Sequence, residues 1–273
     1  MSWAFTSSTG QGFTHDSIVD AHFKACQPAY LRSLKRVGIQ PGWRVLDAGC
    51  GSGAFLPWLA QLAGPSGRVH GVDLAPEHVA LASERARFLA VPIEIREGDL
   101  LALPYPDASF DALWCANAVQ YLSDEDLSRA LAEMVRVVRP GGLVAVKELD
   151  VGLITMRPGP RFLVSDFFRA AGTKPGYAEQ LLRAPDLHRW LAGAGLTAVR
   201  QHTELVEHFG PLSDVAKAFY APTCAALARQ AAGLEVDVDA WSAFADPDHT
   251  ANPLNDPAAY VSEGLTLAIG TRP

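Results

Sequence analysis

From Pro41 onward, short apolar runs of β-type residues alternate with longer stretches whose apolar positions recur at helical spacing. That alternation predicts parallel strands joined by crossover helices. The predicted strands are 44–47, 68–73, 93–96, 110–115 and 143–148, followed by 197–206 and 260–271. Helices are predicted over about 53–63, over 76–90, where Pro76 suits a first helical position, and over 123–138, with Ser123 as N-cap. Upstream, Ile18, Val19, Phe23, Cys26, Tyr30, Leu31 and Leu34 fall on one face of a helix from about Asp16 to Val37. Further helical stretches lie at 160–171 and end at Leu187–Gly193.

Residues 207–258, between the last two strands, read as an insertion: a helix over 213–232, a short one near 240–244, then a loop rich in Pro, Asp and Asn. Long insertions in compact folds are often lids or binding elements. Its Phe219, Tyr220, Leu227, Trp241 and Phe244 would line a pocket for a partly hydrophobic acceptor, or pack onto the rest of the domain or onto a second copy in a dimer. The predicted divisions are an N-terminal helical cap (1–40), an α/β core (41–206 with 259–273) and the helical insertion (207–258).

The 273 residues suffice for one large domain with an appendage. Hydrophobic residues at 49% and charged ones at 19% exclude disordered and low-complexity classes. A net charge of -7 has the wrong sign for holding nucleic acid through phosphates, so no nucleic-acid partner is expected. No apolar run reaches the ~18 residues of a membrane span and the start lacks a signal-peptide pattern, so a cytoplasmic chain is expected. Cys26, Cys50, Cys115 and Cys224 are scattered, which argues for buried thiols; no metal site is expected.

Val45-Leu46-Asp47-Ala48-Gly49-Cys50-Gly51-Ser52-Gly53-Ala54 follows a strand and opens a helix, the context in which glycine spacing signals a cofactor loop. The glycines permit a tight turn and let ligand touch main chain, and the helix start offers free N–H groups. Gly49-x-Gly51-x-x-Ala54 also fits the dinucleotide fingerprint, and Asp73, ending the second strand, would accept hydrogen bonds from the ribose of either cofactor class. Two further blocks break the tie: Gly98-Asp99-Leu100 with Leu103-Pro104 and Ser109-Phe110-Asp111, and Arg136-Val137-Val138-Arg139-Pro140-Gly141-Gly142. Together these blocks resemble the signature set of class I S-adenosylmethionine-dependent methyltransferases, in the small-molecule branch that includes the ubiquinone and menaquinone C-methyltransferases. The likeness covers about 41–151 strongly.

The resemblance implies a Rossmann-like, doubly wound seven-stranded sheet with an antiparallel last strand. It implies S-adenosyl-L-methionine as methyl donor and S-adenosyl-L-homocysteine as product. Gly49, Gly51 and Gly53 would bring backbone against the methionine part, and Asp47 would hold the loop or the amino group. Asp73 would bind the ribose hydroxyls with Leu74 beside the adenine; Asp99 would face the adenine amino group, with Leu100 supplying a backbone N–H. Asn117 would sit by the methionine end or the mouth of the acceptor pocket.

Methyl transfer from a sulfonium is an in-line displacement for which the protein supplies alignment and exclusion of water, with a base only where the acceptor must lose a proton. Ligands gather at the carboxyl ends of the strands, which nominates Glu148 after the fifth strand and His208 after the sixth. His22 and Tyr30 form a second cluster on the first helix, and Phe13, Trp114 or Tyr30 could present a ring to the sulfonium. The candidate catalytic residues are therefore His208, Glu148 and Tyr30. The absence of an Asn-Pro-Pro-Tyr tetrapeptide at Ala116-Asn117-Ala118-Val119 argues for a small-molecule acceptor, a secondary metabolite or similar. A non-methylating donor-binding module or cyclase, and an NAD-dependent oxidoreductase, are the rival readings, and a homodimer is an admissible assembly.

Overall fold

The computed structural model describes residues 4–6, 8, 12–174 and 178–273. Two short strands, β1 (Ala4–Thr6) and β2 (Gly12–Thr14), pair antiparallel in the segment that the sequence pattern leaves without an element. Helix α1 (Asp16–Val37) follows and stops at Gly38, whose φ of 88° is the left-handed C-cap conformation.

The main sheet contains β3 (Arg44–Ala48), β4 (Arg68–Asp73), β5 (Ile93–Glu97), β6 (Phe110–Ala116), β7 (Val138–Arg157), β8 (Thr197–Phe209) and β9 (Tyr260–Thr271). They lie in the order β5-β4-β3-β6-β7-β9-β8. The first five pair in parallel, and β9 runs antiparallel between β7 and β8. The predicted seven strands and antiparallel last strand are thus present. Two strands exceed their predicted lengths: β7 continues beyond 148 because its far half pairs with Tyr260–Ser262 past a bulge between Asp150 and Thr155, and β8 reaches Phe209 along the other edge of β9, at the same Tyr260 end. Such extension is a long-range pairing, which residue pattern cannot specify.

Helices α2 (Leu56–Ala63), α3 (Pro76–Ala86), α4 (Asp124–Val137), α5 (Leu163–Ala171) and α6 (Leu187–Gly193) cover the two faces. Ser123 caps α4 as predicted, its side chain accepting from Asp126 N–H at 3.1 Å. Helix α2 starts three residues later than expected because the glycine-rich turn occupies the intervening chain. Along each central strand the side chains alternate between two cores. Trp114 and Ala145 join Phe23, Tyr30, Leu34 and Leu59 on one face; Leu113, Val144 and Val146 join Leu127, Leu131 and Leu191 on the other.

The 207–258 segment forms α7 (Asp214–Ala231), α8 (Val238–Ser242) and a short turn at Pro253–Asn255. Helix α7 lies beside α1: His22 stacks on Phe219 with centroids 4.2 Å apart. Phe219, Tyr220, Leu227, Trp241 and Phe244 are all buried in the core of the first face. No helix among the described residues is long and apolar enough to cross a membrane.

Candidate functional site

The turn from β3 into α2 is held from below. Gly49 and Cys50 donate their N–H groups to Val72 O at 2.8 and 3.0 Å. Gly51 N–H donates to Asp73 Oδ2 at 2.8 Å, and Asp73 Oδ1 accepts from Ala75 N–H at 3.0 Å and lies 3.1 Å from His78 Nδ1. The end of β4 therefore ties the glycine turn to the start of α3. Gly49, Gly51 and Gly53 all have positive φ, of 72°, 51° and 83°, a region that favours glycine. A Cβ on Gly49 would stand 2.6 Å from Ala118 Cβ, whereas a Cβ on Gly51 would meet nothing within 4 Å. Gly49 is thus a close-packing position, and Gly51 faces open space, where a ligand can approach main chain.

Asp47, the penultimate residue of β3, is buried, and its Oδ2 has no hydrogen-bond partner among the described residues. Burial first, and the neighbouring Asp73 second, push its carboxyl up to about 8. An isolated buried carboxyl of this kind is protonated at neutral pH and regains its charge only beside a cation. Across the sheet, Asp47 is in register with Trp114, whose Nε1 is also buried and unpartnered.

The other predicted cofactor positions surround this turn. Leu74 is half-buried directly after Asp73. Asp99 follows β5, its Oδ1 accepting from Leu101 N–H at 2.9 Å, and Leu100 Cδ1 lies 3.8 Å from the Cβ position of Gly49. Asn117 adopts φ of 55° just after β6, a conformation Asn tolerates better than most residues. Its N–H donates to Lys147 O at 2.8 Å, its Oδ1 accepts from Lys147 Nζ at 2.8 Å, and its Nδ2 donates to Tyr30 OH at 3.1 Å.

Asn117 opens a buried polar network. Tyr30 OH also meets Lys147 Nζ at 3.3 Å and His22 Nδ1 at 3.2 Å; His22 Nε2 lies 2.6 Å from Glu263 Oε1, which accepts from Cys26 Sγ at 3.0 Å, while Glu263 Oε2 accepts from Tyr220 OH at 2.9 Å. Although burial alone would raise it, the His22 ring, the Cys26 hydrogen bond and Lys147 hold the Glu263 carboxyl down to about 2. Burial pushes the Cys26 thiol and Tyr30 phenol well up, and it lowers the Lys147 ammonium to about 8 against the pull of Glu148 and Glu263. His22, Cys26 and Glu263 bring ligand-type atoms within 4.8 Å of one another, a grouping able to hold a metal ion that no sequence spacing announces.

Of the three predicted catalytic residues, only Tyr30 belongs to this network. Glu148 points to the opposite face from Lys147, its Oε1 accepting from Val119 N–H at 3.0 Å. Burial pushes its carboxyl up to about 7. His208 lies edge-on to Tyr220 at 5.3 Å with Nε2 buried and unpartnered, and burial lowers its ring from the ordinary range. Trp114 packs on Phe55 beneath the turn, and the Phe13 side chain lies outside the described residues. Sequence reading passes over Lys147 and Glu263. The signal was a charge within an apolar strand: Lys147 follows Leu143-Val144-Ala145-Val146, and Glu263 sits in β9, whose residues 261–270 are buried.

A seven-stranded sheet in this order, with a glycine turn after its first parallel strand and acids near the carboxyl ends of that strand and the next, is the fold of class I methyltransferases. Residues 45–142 match the sequence family described as "Methyltransferase domain". The chain is similar to the demethylmenaquinone methyltransferase of Deinococcus radiodurans, with 36% identity over 146 residues, covering 48% of this chain and 59% of that protein. It is also similar to the methyltransferase GfsG of Streptomyces halstedii, with 31% identity over 150 residues, covering 54% of this chain and 52% of that one. The chain thus spans somewhat over half the length of these curated relatives. Among solved structures, phosphoethanolamine N-methyltransferase 2 of Haemonchus contortus in complex with S-adenosyl-L-methionine superposes with a TM-score of 0.57 at 16% identity, covering 93% of this chain and 57% of that one. At that identity the likeness is one of fold.

Proposed function

We propose that this chain transfers the methyl group of S-adenosyl-L-methionine to a small, partly hydrophobic acceptor and releases S-adenosyl-L-homocysteine. The observation that carries the reading is the pairing of an open main-chain face at Gly51 with the unpartnered buried oxygen of Asp47. The donor has a cationic amino group suited to Asp47, and its methionine part would lie along Gly49, Gly51 and Gly53. Asp73 would take the ribose hydroxyls: three donors occupy its two oxygens, which leaves about one acceptor site of the roughly four a carboxylate offers. Leu74, Asp99 and Leu100 would line the adenine, and Asn117 the methionine end. The donor supplies an activated methyl carbon on a good leaving group; the chain supplies alignment and a water-poor surround.

The relatives' names favour a quinone-type or secondary-metabolite acceptor. On this reading the 207–258 segment borders the acceptor side, the enzyme works in the cytoplasm, nucleic acid is no partner, and a second copy of the chain is an admissible one. Calorimetry of the full chain with S-adenosyl-L-homocysteine, followed by incubation with methyl-labelled donor and an acceptor panel, tests the proposal. Micromolar binding and labelled product are expected. Absence of heat, with tight NAD(H) binding, transfers the assignment to an oxidoreductase; binding without any labelled product transfers it to a non-methylating module.

A further inference from the structure

Lys147 is completely buried in a strand that otherwise carries apolar side chains to this face, yet among the described residues no carboxylate touches its Nζ. A buried ammonium is normally paired, since burial without a partner costs several kcal/mol. Here Nζ meets two neutral oxygens, Asn117 Oδ1 at 2.8 Å and Tyr30 OH at 3.3 Å, and sits 4.4 Å from the Tyr30 ring centroid. An uncharged amine has two N–H donors and one lone pair. Those two contacts use both donors, and no third partner lies in reach among the described residues. The lone pair is left over.

The surrounding contacts hold Nζ in place. Asn117 Nδ2 and Lys147 Nζ both donate to the Tyr30 oxygen, which also lies 3.2 Å from His22 Nδ1. His22 Nε2 in turn lies 2.6 Å from Glu263 Oε1. The chain of contacts ends on a carboxylate that also accepts from Cys26 and Tyr220. Asn117 joins this assembly to the cofactor turn, because the next residue, Ala118, packs on Gly49.

We propose that Lys147 is the general base of the transfer, its Nζ taking the proton of a phenol- or enol-type hydroxyl on the acceptor, with Tyr30 and Asn117 as the residues that position it. This inference rests on the methyl-transfer reading and names its acceptor class. As the acceptor's nucleophilic atom bonds the methyl carbon, the hydroxyl proton passes to the Nζ lone pair and the carbon–sulfur bonding electrons stay with the leaving sulfur. Charge balances: the sulfonium's positive charge ends on the Lys147 ammonium. The ionisable groups around Nζ are His22, Cys26 and Tyr30 of α1, Tyr220 of α7, Glu263 of β9 and Glu148 of its own strand. Glu263 and Glu148 favour the ammonium; burial outweighs them and lowers Lys147 to about 8. A lysine in that range suits proton transfer from a phenol near neutral pH. A cationic donor bound nearby would favour the free amine further.

The test compares the full chain with its Lys147→Met, Lys147→Arg and Tyr30→Phe variants. The probes are 1,4-naphthohydroquinone and catechol, which carry acidic hydroxyls, and dimethyl sulfide and N,N-dimethylglycine, whose reacting atoms carry no proton to lose at alkaline pH. Transfer from S-adenosyl-L-methionine to a hydroxyl probe is expected to rise with pH through one ionisation near 8. Both lysine variants should lose at least about 100-fold in rate and lose that ionisation, while homocysteine-product affinity, measured by calorimetry, stays within about threefold. Tyr30→Phe should keep a base but move the ionisation and slow transfer roughly tenfold. Independently of any acceptor, NMR of ε-carbon-labelled lysine, assigned by the Lys147→Met spectrum, should show one amine titrating between about pH 7 and 9. The proposal is overturned if Lys147→Met keeps the wild-type rate and profile, if only the proton-free probes are methylated, if product binds but no probe is methylated, or if Lys147 titrates in the ordinary lysine range. A large loss in His208→Asn with Lys147→Met intact would move the base to His208. A chain that binds neither donor nor product sinks the methyl-transfer reading instead, and the NMR titration still reports on Lys147.

Discussion

Ser52, in the glycine-rich turn, donates a 3.0 Å hydrogen bond to Asp20 of α1, and Arg85 of α3 bonds to both. The helix that precedes the sheet is thereby fastened to the loop that would hold the methyl donor. Asp20→Ala removes the central acceptor and leaves Arg85 and the buried Ser52 with only their own 3.2 Å contact among the described residues. It is expected to cost about 1 kcal/mol, seen as a loss of roughly fivefold in S-adenosyl-L-homocysteine affinity. Unchanged calorimetric affinity would show that the fastening has no bearing on the loop.

Gly49 and Gly51 share a positive φ but differ in surroundings, so their alanine variants should fail differently. Gly51→Ala places a methyl group in the open face, with a backbone strain of about 1–2 kcal/mol. Its main effect should be on ligand binding, by tenfold or more. Gly49→Ala adds a clash with Ala118 and should lose roughly 2–4 kcal/mol of stability in urea unfolding. Full product affinity in Gly51→Ala would place the ligand elsewhere.

Because Asp47 titrates at about 8 in the folded chain, it is mostly protonated at pH 7. Pairing with a cationic amino group should draw its proton off. Calorimetry of product binding in buffers of different ionisation enthalpy is expected to show net release of up to about one proton at pH 6.5–7.5, and Asp47→Asn should abolish that release and weaken binding about tenfold or more. The linkage sign is also fixed. With the folded value above the unfolded 3.8, the folded state holds more protons between the two, so the Asp47 contribution to stability falls as pH rises from about 4 to 8.

Lys147 gives the opposite trend at higher pH. Its folded value of about 8 lies below the ordinary 10.5, so between these the unfolded chain binds more protons and stability contributed by this group rises with pH. The gain is at most roughly 3 kcal/mol, at about 1.4 kcal/mol per pH unit. Lys147→Met should be more stable than wild type at pH 7 by about 1–3 kcal/mol, and the difference should shrink towards pH 10. A constant difference across that range would mean that Lys147 does not change charge.

The βα alternation, the glycine turn and the acids at 47, 73 and 99 were all legible in the residues. Each depends on neighbours a few positions apart along the chain: strand periodicity, a helix start, a turn that needs glycine. The sites around the cofactor turn share this origin, since Asp47 and Gly49–Gly53 lie in one short stretch and Asp73 ends the adjacent strand.

The buried polar network is different in kind. His22, Tyr30, Asn117, Lys147 and Glu263 come from α1, the end of β6, β7 and β9, and they meet only because β9 inserts between β7 and β8 and α1 closes over that face. Local pattern could mark Lys147 and Glu263 as charges in apolar strands, but which face each occupies, and what stands opposite, depends on register and packing across more than a hundred residues. The same reason separates Glu148 from Lys147: one step along a strand reverses the side. Sequence thus specifies the elements and the glycine turn through short-range chemistry, whereas the buried polar cluster exists only once the folded sheet sets its partners at hydrogen-bond distance.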